Sequence, residues 1–104
     1  MFDVAWSGNR RIGADGKLPA VGDTVDPSKA TYTNTIGAVQ LATVWKDPEF
    51  DPTQLAFYYV RVLEIPTPRH SLYDAVALGV DVSVTKYPAA IQERAYSSPI
   101  WYTP

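Results

Sequence analysis

Asp47, Glu49 and Asp51, three carboxylates at alternate positions, are the side chains in this 104-residue sequence whose types and spacing come nearest to a chemical site. Loops gather hard cations such as calcium with oxygen ligands spaced in this way. The rest of such a loop is missing. Pro52 stands where an EF-hand needs its sharp-turn glycine, and Tyr58 occupies the position of its bidentate glutamate. Asp47-Pro48 and Asp51-Pro52 both start turns, so the three residues are read as an acidic turn facing water and kept only as weak metal candidates. His70 is the single histidine and there is no cysteine, which excludes a zinc site of the usual composition, a thiolate nucleophile and a disulfide framework. Ser97-Ser98 has no base near it in sequence, and no glycine-rich phosphate cradle follows a strand. The expectation is a chain with no catalytic residue and no cofactor of its own.

The aromatic residues are the other candidate. Trp6, Trp45, Tyr59, Trp101 and Tyr102 would make a platform for the flat faces of sugars if they stood exposed together, although aromatic residues in β proteins mostly pack. Arg61, Arg69 and Glu64 lie in or just after the main apolar run and read as a solvated face or an intra-sheet pair. The residues picked as interface or rim candidates are Arg61, Arg69, His70, Tyr73 and Trp101.

These residues need elements to position them. The run AFYYVRVLEI, residues 56–65, alternates without a breaker and reads as the central strand, with Tyr58, Val60 and Val62 on its core face and Phe57, Tyr59, Arg61 and Leu63 on the other. Residues 2–6 alternate from the start of the sequence and predict a strand; an opening in mid-strand suggests a boundary cut through a larger unit. Residues 10–27 read as a long polar surface loop, 30–35 as a short strand and 38–45 as a second firm strand. Residues 71–79 predict a short helix capped by Ser71 and stopped by Gly79. Val80, Val82 and Val84 alternate weakly, and residues 91–96 with 99–103 read as one broken or bulged strand around Pro99.

The totals agree with one small β-rich domain over residues 1–104. Nine prolines, seven tyrosines and three tryptophans suit a turn-dense β chain. A net charge of −2, with Arg10-Arg11 the sole basic doublet, argues against nucleic acid as a partner. No apolar run approaches a membrane span, and no signal peptide opens the sequence, so localisation stays unassigned.

Five blocks, FDVAWS (2–7), ADGKLP (14–19), ATYTNTIG (30–37), FYYVRVLEIPTPR (57–69) and QERAYSSPIWYTP (92–104), resemble the C-terminal end of the bacterial proteins called domain of unknown function 3604. His70 stands where that family is expected to carry a tryptophan. The resemblance implies relatives that look like metal-dependent hydrolases of the polymerase-and-histidinol-phosphatase type, with histidine and aspartate ligands in an N-terminal part and a divalent metal there. Residues 94–101 are also similar to the final strand of an immunoglobulin-like domain that closes several such hydrolases. The implied fold is mainly β, a partial immunoglobulin or fibronectin-III-like antiparallel sandwich. Residues 56–65 are then its penultimate strand, 99–103 its last, and 66–90 an insertion carrying one short helix. The expected role is a non-catalytic C-terminal accessory β domain that packs on an upstream catalytic domain or self-associates through an open sheet edge. The alternative is a free-standing binding module for a glycan or a peptide.

Overall fold

The computed structural model describes all 104 residues, and its regular structure is mainly strand, in small antiparallel ladders, with one short helix. The central run forms β1 (Ala56–Tyr58) and β2 (Arg61–Leu63), followed by β3 (Thr67–Pro68). Helix α1 (His70–Leu78) and a 3-10 turn at Val82–Thr85 come next, and the chain then returns through β4 (Ala90–Ile91), β5 (Arg94–Tyr96) and β6 (Ile100–Tyr102). β1 pairs with β6, β2 with β5 and β3 with β4, so the pairs follow one another along a single two-stranded ribbon.

The register along this ribbon shifts twice. Tyr58 faces Ile100, but Arg61 faces Tyr96, so two residues on one side, Tyr59 and Val60, stand against three, Ser97, Ser98 and Pro99, on the other. Further on Leu63 faces Arg94 while Thr67 faces Ile91, which puts the extra residue on the opposite strand and restores the register. Such bulges bend and twist a ribbon. At the first bulge the Val60 N–H donates to Ser97 Oγ at 2.8 Å, and Ser97 N–H donates to Val60 O at 2.9 Å.

Helix α1 starts after Arg69, whose extended backbone (φ −70°, ψ 150°) serves as the N-cap without a side-chain bond. Ser71, expected as the cap, lies inside the helix and is buried at 6% exposure, because the chain turns helical directly after Pro68-Arg69. The stop falls at Gly79 as expected. Its φ of 69° lets Gly79 N–H reach Val76 O and Val80 N–H reach Ala75 O, a Schellman closure. Leu72, at 1% exposure, is the one large side chain that is fully buried, and Ala75 shares its face. The Arg69 N–H donates to Ala89 O at 2.9 Å, tying the base of this helical segment to the returning strand.

Several expected strands do not form. Residues 2–6 and 38–45 form no strand but lie side by side, with Val4, Trp6, Leu41 and Thr43 lining a groove of about 270 Å³, and no backbone hydrogen bond joins them. Alternation shaped them for a sheet, but neither supplies the other with a ladder. Of the short strand at 30–35, only a bridge between Asp26 and Thr31 is present. The alternating valines near residue 82 become a 3-10 turn, because the Asp81 side chain accepts from Ser83 N–H and caps it. On the expected core face, Val60 and Val62 stand 56% and 54% exposed.

These exposures belong to the whole molecule. A globular protein of 11.5 kDa has about 5,800 Å² of accessible surface, and this chain has 8374 Å². Its radius of gyration is 18.3 Å, with extents of 60 × 28 × 26 Å, against about 13 Å for a compact chain of this length. Backbone–backbone hydrogen bonds number 29, where about 70 are usual for this length.

Candidate functional site

One face of the ribbon is aromatic and open. Alternation puts Phe57, Tyr59 and Arg61 on the same side, and pairing sets Trp101 opposite Phe57 and Tyr96 opposite Arg61. The rings form a continuous row. The Trp101 and Phe57 centroids are 5.3 Å apart with planes 40° from parallel, Phe57 and Tyr59 stack at 6.2 Å and 13°, and Tyr59 meets Tyr96 at 6.2 Å and 32°. All four are exposed, Trp101 the most at 72%. The extra residue in the 97–99 bulge makes this row possible: Tyr96 and Trp101 are five apart, an odd spacing that unbroken alternation would send to opposite faces.

The row ends in positive charge. Arg94 and, next, Arg61 hold the pKa of the Tyr96 hydroxyl below the ordinary phenol value. Neither arginine has a carboxylate within 4.0 Å, and each faces a side chain that carries no acid, Tyr96 for Arg61 and Leu63 for Arg94.

The opposite face has another chemistry. Tyr58, Val62, Ala95 and Ile100 belong to it, with Val60 by alternation. Aromatic packing reaches it only at Tyr58 and Tyr102: Trp45 packs edge-on to Tyr58 at 6.4 Å, Phe2 packs on Trp45 at 5.1 Å and Phe50 on Tyr102 at 5.0 Å. Tyr58 donates its hydroxyl proton to Asp47 Oδ2 at 2.7 Å, and this bond raises its pKa above the ordinary value.

The five interface candidates from the sequence separate. Arg61 and Trp101 share the aromatic face, while Arg69, His70 and Tyr73 lie at the helical segment. Arg69 sits with its guanidinium 4.6 Å from the Tyr87 ring centroid and its Nε buried without a partner; His70 and Tyr73 are exposed. The aromatic set proposed from sequence also disperses. Trp6 donates its indole N–H to Arg10 O, Tyr102 donates to Pro52 O, and Trp45 packs between Phe2 and Tyr58, so only Tyr59 and Trp101 remain in the row. Phe57, Tyr96 and Arg94, which belong to it, are the residues that sequence reasoning missed.

Asp47, Glu49 and Asp51 do not converge with other ligand-type side chains into a metal-sized group. Asp47 Oδ1 accepts from Glu49 N–H and its Oδ2 from Tyr58, while Asp51 accepts from both the N–H and the hydroxyl of Thr53, which lowers its pKa. These are turn and tether bonds. No helix is long and apolar enough to cross a membrane.

The family model described as protein of unknown function, DUF3604, matches residues 1–104. No curated protein and no solved structure matches the chain.

Proposed function

The chain belongs to the DUF3604 family, and on that premise we propose that it is a non-catalytic accessory β unit, the C-terminal portion of a protein related to metal-dependent hydrolases. In this reading the ribbon of β1–β2 with β5–β6 is the closing hairpin of an immunoglobulin-like sandwich completed by protein from outside this chain. One observation carries the reading. The chain exposes about 2,600 Å² more surface than a globular protein of its mass, which is more than one partner contributes to a standard interface and of the order of an obligate one. A small ligand could not cover that area.

The surface to be covered is the aliphatic one. Val60, Val62 and Ile100 on the ribbon, with Val39, Leu41 and Val44 in the unladdered segment, are β-branched or aliphatic, exposed and free of charge among themselves. This is the composition of the inner face of a sheet that packs on another. Residues 2–6 and 38–45 make no backbone–backbone hydrogen bond with each other, which leaves groups able to add to a sheet edge.

Sedimentation velocity across a range of protein concentrations, combined with thermal unfolding, tests this. The expected outcome is concentration-dependent association. A monomer that melts in one cooperative transition would overturn it, because its fold would then close on itself. Metal-dependent phosphatase activity in the isolated chain would overturn it as well.

A further inference from the structure

We propose that the ribbon face bearing Trp101, Phe57, Tyr59 and Tyr96 is a platform for an acidic polysaccharide, whose sugar rings lie along the aromatic row and whose carboxylate or sulfate groups are met by Arg61 and Arg94. This goes beyond the accessory role, which uses the aliphatic face, and does not depend on it.

Three properties of the face select this occupant. The first is geometry. Successive centroids stand 5.3, 6.2 and 6.2 Å apart, close to the length of one sugar unit, and no neighbouring pair of planes departs from parallel by more than 40°. The row therefore offers ring surface at sugar-like intervals, most of it on Trp101, which is 72% exposed, and the axial C–H groups of a pyranose suit the electron-rich faces of aromatic rings. The second is charge. Two guanidiniums at one end of the row lack a carboxylate within 4.0 Å, so an anionic group on the ligand would be their first ionic partner. The third is solvation. Another protein laid over this face would have to desolvate both guanidiniums and the phenol groups of Tyr59 and Tyr96, which is costly unless every one of them finds a partner. A hydroxylated sugar chain lying flat covers the rings and leaves those polar heads wet or hydrogen-bonded.

Single-stranded nucleic acid also combines rings with negative charge, but it carries a phosphate at every nucleotide and is held in a groove lined with cations. Here the chain is net −2 and the face offers two cations.

The test is native affinity electrophoresis of the full chain in gels containing polygalacturonate, dextran sulfate, neutral dextran or poly(dT). Self-association slows the chain in all gels alike and is removed by comparison with neutral dextran. Specific retardation is expected with one or both acidic polysaccharides. Response to polygalacturonate alone or dextran sulfate alone supports the proposal and identifies the anion as carboxylate or sulfate. Trp101→Ala should weaken the apparent affinity about tenfold, the loss of one stacked ring. Arg61→Gln with Arg94→Gln should abolish the difference between acidic and neutral gels. Ile100→Ala, on the other face, should leave retardation unchanged. Circular dichroism checks the fold of each variant, and if Trp101→Ala is unfolded the arginine pair decides, since neither guanidinium holds a protein carboxylate. No acid-specific retardation, retardation by poly(dT) as strong as by the polysaccharides, or full retention in a folded Trp101→Ala chain would overturn the proposal.

Discussion

Val60 and Ser97 exchange two hydrogen bonds across the ribbon, one of them through a side chain: Val60 N–H donates to Ser97 Oγ at 2.8 Å, and Ser97 N–H donates to Val60 O at 2.9 Å. The serine hydroxyl thus occupies the place of a ladder carbonyl where the 97–99 strand carries one residue too many. It donates its own O–H to Ser98 O at 3.0 Å. The shift puts Tyr96 and Trp101 on a common face, so the order of the aromatic row depends on this pair.

Replacing Ser97 with alanine removes that acceptor and leaves the Val60 N–H to water. The site is exposed, so the expected loss is the net value of one hydrogen bond, about 0.5–1.5 kcal/mol, read from chemical denaturation. Ser97→Thr keeps the hydroxyl and should recover most of the stability.

Gly37 holds the long N-terminal segment against the end of the central run. Its φ is 80°, and a β-carbon there would stand 2.6 Å from Ile65 Cγ2. Gly37→Ala therefore meets both a left-handed backbone and a collision, and should cost more than about 1 kcal/mol. In an Ile65→Ala background the steric part should vanish and the backbone part remain. A double-mutant cycle separates the two, and full additivity would show that the contact does not form.

Leu72 anchors α1. Truncation to alanine should cost about 2–5 kcal/mol, the range for a buried leucine. Because the helical segment is tied at its base by Arg69 N–H to Ala89 O, the loss should appear in hydrogen exchange of residues 70–85 before it reaches the ribbon. Equal loss of protection in β1 and β6 would mean that helix and ribbon unfold as one.

What the sequence made legible follows from how local each signal is. The Gly79 stop needs one residue with a positive φ and was readable, as was the common face of Phe57 and Tyr59, two positions apart in one strand. The start of α1 was misplaced because Ser71 has the composition of a cap, while the deciding feature is the extended backbone at Pro68-Arg69. The membership of the aromatic row was not readable, since it depends on a bulge that only cross-strand pairing reveals. Residues 2–6 and 38–45 have the alternation of strands, but a ladder is a property of two partners, and these two do not bond to each other. Alternation records that a segment suits a sheet; it does not say whose sheet.

The two tyrosines on opposite faces should titrate on opposite sides of the ordinary phenol value. Tyr58 is raised, first by its hydrogen bond to Asp47 and then by desolvation and the Asp47 charge. Folding therefore favours its protonated form. Its contribution to stability is fully present below the unfolded phenol value and is lost as pH rises through the higher folded one. Tyr96 is lowered by Arg94 and then Arg61, so its contribution is present above the unfolded value and is lost as pH falls through the lower folded one. Phenolate absorbance, assigned with Tyr58→Phe and Tyr96→Phe, should resolve the two transitions. Asp47→Asn should bring Tyr58 down toward the ordinary value and leave Tyr96 in place, whereas Arg94→Gln should bring Tyr96 up and leave Tyr58 in place. Bound acidic polysaccharide adds a discriminating shift. An anion drawn to Arg61 and Arg94 weakens their hold on the phenolate, so ligand should raise Tyr96 alone, and a ligand that moved Tyr58 instead would have bound the aliphatic face.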